Sequence, residues 1–104
     1  MRIVVNKNNA DKLKESIFQI AGKKPMQTWK IRIFEGKKCL THSTEQYIDK
    51  CYVELAATDK NTLVVVVHEK DDSIDSRIKN IYYGKFISAL LTAFPELNDG
   101  VVII

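Results

Sequence analysis

Residues Thr62–Glu69 read TLVVVVHE, and the fold turns on how this run is covered. In an extended strand Leu63, Val65 and Val67 point to one face, and Val64 and Val66 to the other. A half-buried strand alternates apolar and polar residues, whereas this one is apolar on both sides, so both faces must be kept from water. Either one of the chain's own helices crosses the second face, or another molecule does.

Working outward, residues 2–6 (RIVVN) read as a short β-branched strand. NNADKLKESIFQIAGKKP then carries a helix signature: Asn9 as cap, Asp11 in the first turn, Leu13, Ile17 and Ile20 on one face, Gly22 and Pro25 as the stop. In TWKIRIFEGKKCLT, Trp29, Ile31 and Ile33 share one face while Lys30, Arg32 and Phe34 share the other. A turn at Glu35-Gly36-Lys37-Lys38 leads into a second strand at 38–42, making a hairpin. Residues 44–57 fit either period. YVELAAT alternates like a strand, but Ser43 with Gln46 has capping-box spacing and Tyr47, Ile48, Cys51, Tyr52 and Leu55 form a helical stripe, so helix is expected.

Beyond the valine run, EKDDSID is a polar connection in which Asp72 or Ser73 starts a long helix and Asp75 suits its positive end. That helix is apolar nearly all round, with Gly84 in its middle, either marking close approach by a neighbour or simply tolerated there. Pro95 ends it and VVII forms a last strand. The order β-α-β-β-α-β-α-β begins with the ferredoxin-like βαββαβ pattern and appends a C-terminal α-helix and β-strand, a single α+β domain over 1–104. The long helix is expected to cover the second face of the valine strand, with a second copy as its rival.

Composition is that of an ordinary globular chain, 45% hydrophobic and 28% charged, with no apolar run long enough to span a membrane. Two cysteines at unrelated positions argue against a disulfide framework, and without any address the expected location is cytoplasmic. The net charge of +3 conceals +6 over residues 1–50 and −3 over 51–104, which suggests an acidic or phosphate-bearing partner for the basic half.

Three kinds of site compete. Tyr82, Tyr83, Phe86 and Ile87 flank Gly84 and are expected to form a surface for a protein partner or a second copy. Lys23, Lys24, Lys30, Arg32, Lys37 and Lys38 gather around Phe34 and supply the charge and ring that nucleic-acid binding needs, though edge lysines also block aggregation. His68, Glu69, Asp71 and Asp72 offer oxygen and imidazole ligands for a divalent metal, or an acid and base for a small enzyme. Cys39, His42 and Cys51 lack the fourth ligand of a zinc site, and Cys51 reads as buried. No glycine-rich phosphate loop or nucleophile elbow is present, so the expectation is a non-catalytic binding module without a cofactor.

Overall fold

TLVVVVHE forms β5, one of six strands in a computed structural model that describes residues 1–104. The chain runs β1 (Ile3–Asn6), α1 (Ala10–Ile20), β2 (Trp29–Phe34), β3 (Lys37–His42), β4 (Cys51–Asp59), β5 (Thr62–Glu69), α2 (Ser76–Ala93), a 3-10 turn at Pro95–Leu97, and β6 (Val101–Ile103). The strands make one antiparallel sheet in the order β2-β3-β4-β5-β1-β6.

Local sequence explains the joints. Glu35 and Gly36 both have positive φ, 52° and 77°, which is the two-residue turn whose twist matches a hairpin, so β3 starts at Lys37 rather than 38. Gly100 lets β6 meet the end of β1: a Cβ there would sit 2.6 Å from the Asn6 carbonyl oxygen. Asn9 occupies the cap position of α1 in a left-handed conformation, without a side-chain hydrogen bond. Asp75, not Asp72 or Ser73, caps α2, its carboxylate accepting the Arg77 amide at 2.9 Å.

Both helices pack on the same face of the sheet, over β4 and β5. One core cluster joins Leu13 and Ile17 of α1 to Val53, Leu55, Leu63 and Val65 of the sheet and to Tyr82, Phe86 and Leu90 of α2. Trp29 is fixed within it by edge contacts to Tyr82 and Phe86, with ring centres 5.8 and 5.3 Å apart.

Three expectations are corrected. Residues 44–50 are turns and Cys51–Asp59 is a strand, so there are two helices and not three. Alternation decides the segment: Cys51, Val53 and Leu55 are buried between Tyr52, Glu54 and Ala56, and β4 pairs with β5 along its length. The Ser43–Gln46 capping box has no helix to start; the Ser43 amide instead donates to the Thr28 carbonyl at 2.7 Å. With that helix gone, and with β2 to β5 in a simple meander, the ferredoxin-like strand order is not the one observed. Finally, α2 does not cross the second face. β6 lies beside β1 at the far edge, yet α2 returns on the same side as α1, and the other face of the sheet carries no helix.

Candidate functional site

The uncovered face is built by the second member of each alternating pair. On β5 these are Val64, Val66 and His68; on β4, Tyr52, Glu54 and Ala56; on β1, Val4. Register aligns them into rows. Ala56 lies opposite Val64, Val64 opposite Val4, and Val4 opposite Val102, a continuous apolar row across β4, β5, β1 and β6. Val102 is 48% exposed, and Val4, Ala56 and Val64 are only partly covered. Four strands at about 4.8 Å spacing make this row roughly 14 Å long.

Next to the row stands a polar and aromatic cluster. Phe34 from β2 stacks on Tyr52 from β4, ring centres 4.5 Å apart and planes within 17°. His68 Nε2 lies 2.7 Å from Glu54 Oε1, and Lys37 Nζ donates to Glu54 Oε2 at 3.3 Å. These two contacts hold the Glu54 carboxyl below its ordinary range, the His68 hydrogen bond being the larger cause. Arg32 Nε donates to Asp49 Oδ1 at 3.0 Å, and the Tyr52 hydroxyl donates to the same oxygen at 3.3 Å. Cys39 alternates onto this side, facing Arg32 and Glu54 across its neighbouring strands, and is 1% exposed.

The expected partner residues fall elsewhere. Tyr82, Tyr83 and Phe86 are buried in the core, so they cannot present a docking surface in this fold; Ile87 alone of the four is partly exposed. The Tyr82 hydroxyl donates to the Tyr47 carbonyl and lies 3.0 Å from Thr41 Oγ1, which donates to the Cys51 carbonyl at 3.1 Å. Phenols that complete buried polar networks are structural. Of the two readings of Gly84, the geometry fits the tolerated one: a Cβ there would meet no atom within 4 Å.

The basic set divides. Lys30, Arg32 and Lys37 lie on the uncovered face with Phe34, as their alternation predicts. Lys38 lies on the helix face, its Nζ 4.5 Å from the Phe18 ring centre, and Lys23 and Lys24 sit in the α1–β2 connection. Two of the three cations on the face are already paired, Arg32 with Asp49 and Lys37 with Glu54.

The metal and acid–base set lines one open pocket with Phe34 and Lys79 without closing on a cation site. His68 turns to Glu54, Asp71 accepts from the Ser73 amide at 2.9 Å, and Glu69 pairs in register with Cys51. No three His, Cys, Asp or Glu side chains come together where a cation could sit. Burial pushes the Cys51 thiol up to about 11, the opposite of what a nucleophile needs.

Sequence reasoning missed Tyr52, Glu54 and Ala56 because the helical stripe drawn through 44–57 hid their alternation. Comparison with protein-family models, curated proteins and solved structures finds no match for this chain.

Proposed function

We propose that the protein is a non-catalytic interaction module that pairs with a second copy of itself through the uncovered face of its sheet. The row Ala56–Val64–Val4–Val102 carries this reading, because a sheet face lined by aliphatic side chains and left without a helix is an association surface. Size supports it: a standard interface takes about 800 Å² from each partner. The molecule measures 37 × 27 × 25 Å, so one broad face offers that much. Two such faces stack about 10 Å apart with their side chains interdigitated, as in a sandwich. A reducing compartment such as the cytoplasm fits two buried free cysteines.

Light scattering behind a sizing column tests this. Wild type is expected at twice 11.9 kDa with a urea midpoint that rises with protein concentration, and Val64→Glu at 11.9 kDa with a midpoint that does not. A monomeric wild type at tens of micromolar overturns the reading.

A second reading, single-stranded nucleic-acid binding, draws on the Phe34–Tyr52 stack beside Lys30 and Lys37. It ranks below the first because the two rings face each other and most of the nearby cations already hold carboxylates. Excess absorbance at 260 nm travelling with the protein, and lost when Lys30 and Lys37 are reversed, would promote it.

A further inference from the structure

We propose that the free edge of β2 receives an extended acidic segment of a partner protein as an added strand. This surface is separate from the uncovered face and does not depend on it. β2 is one margin of the sheet and keeps six residues in strand conformation, whereas the opposite margin, β6, keeps three. The pair Phe34 and Lys37 closes the two-residue hairpin, and the Ser43 amide donates to the Thr28 carbonyl. Even-numbered residues of β2 therefore bond inward to β3, and the backbone groups of Ile31 and Ile33 face outward. The Ile31 carbonyl accepts from the exposed Arg32 Nη1 at 3.1 Å, a contact that an incoming strand would displace, and the other outward groups of Ile31 and Ile33 form the template for strand addition.

The side chains along this edge specify what would dock. Toward the helix layer, Ile31 is 40% and Ile33 69% exposed, because the helices pack over β4 and β5 and stop short of β2. On the other side stand Lys30, which lies near no carboxylate, and Arg32, whose guanidinium reaches the half-exposed Asp49. The matching strand alternates apolar residues, against Ile31 and Ile33, with acidic residues, foremost against Lys30, since Arg32 is already shared with Asp49.

A second copy of β2 does not meet that description. An antiparallel two-fold pairing centred on Ile31 sets Lys30 opposite Arg32 twice. One centred on Arg32 sets Arg32 opposite itself. These are the two pairings that keep five residues in register, and both oppose like charges across a strand pair. The edge thus repels itself while remaining open to an acidic strand.

The experiment uses the full chain and an eight-residue probe peptide alternating glutamate and valine, with a lysine–valine peptide as control. Binding is read by fluorescence anisotropy and the site by amide hydrogen exchange. The acidic peptide is expected to bind, to protect the Ile31 and Ile33 amides, and to leave the control unbound. Lys30→Glu should weaken it about tenfold, since one attractive cross-strand pair becomes repulsive. Ile33→Pro removes an outward amide and should abolish binding; Lys30→Glu, an exposed change, keeps the test valid if the proline variant does not fold. Val64→Glu should leave the peptide affinity unchanged. No binding of the acidic peptide overturns the proposal, as does binding that Lys30→Glu leaves intact. Oligothymidylate binding in place of the peptide, with the same loss in Lys30→Glu, overturns it in favour of a nucleic-acid edge.

Discussion

The Tyr83 hydroxyl accepts the Val67 amide at 2.9 Å and donates to the Met1 carbonyl at 2.7 Å. The β1–β5 ladder runs from Ile3 opposite Val65 to Asn6 opposite Thr62, so Val67 lies beyond its end. The phenol from α2 fills the place of the missing backbone partner. Tyr83→Phe leaves a buried N–H without an acceptor, a loss of about 1–3 kcal/mol. Urea denaturation should show that loss, while the solution mass stays that of wild type. A changed mass with unchanged stability would return Tyr83 to the role of an interface residue.

Gly84 gives the opposite sign. It lies mid-helix in α2, and a Cβ there touches nothing within 4 Å. Gly84→Ala is expected to raise stability by about 1 kcal/mol, through helix propensity and a less flexible unfolded chain. A lower urea midpoint would mean that some part of the molecule does approach this position closely.

The contrast between β5 and β4 shows why part of the fold was legible in the sequence and part was not. Five consecutive apolar residues at 63–67, bounded by Asn61 and a charged run after His68, admit a strand and little else. At 44–57 the same residues satisfy two periods: Cys51 and Leu55 belong to a helical stripe and equally to a strand's inner face. The choice between them rests on pairing with β5, a contact between segments that neither segment's own pattern records. Reading a helix there supplied a third helix to be placed and removed Tyr52, Glu54 and Ala56 from the sheet. Simple alternation places Phe34 on the lysine face, but its stacking partner Tyr52 belongs to the ambiguous segment. The all-round apolarity of α2 points to a place between the sheet and a neighbour, and its core side meets the sheet and the 43–50 segment, with Tyr82 bonded to the Tyr47 carbonyl.

Acid should weaken the fold in two separate windows. His42 is 4% exposed, and burial, with Lys85 nearby, lowers its pKa from 6.5. The unfolded chain then takes up that proton first, so stability declines as pH falls below about 6.5. Glu54 is depressed by its bonds to His68 and Lys37, so its contribution is present above the ordinary carboxylate range and lost as pH falls through its lowered value. Urea midpoints at pH 7, 5.5 and 3 should fall in two steps. Glu54→Gln should shrink the lower step, to which the lowered Asp71 and Asp75 also contribute, and leave the upper one; loss of the upper step instead would reassign the proton to another group.

The thiols provide the sharpest separation between a structural and a chemical role. Cys39 is 1% exposed and Cys51 is fully buried; both are free, and both have raised pKa values, mainly from burial, with Cys51 at about 11. A thiol reacts as its thiolate, and a buried neutral one reacts only when the surrounding structure opens. Cys51 lies under the core at the start of β4, and Cys39 lies between Arg32 and Glu54 on the uncovered face. An aromatic disulfide reagent at pH 8 should therefore label neither cysteine over minutes in the native protein and both at once in urea. Cys39 is covered within the single chain, so dilution toward monomer, or Val64→Glu, should leave its labelling as slow as that of Cys51. Rapid labelling of Cys51 in the native chain would contradict the burial that holds β4 in the sheet, and with it the pairing on which the uncovered face depends.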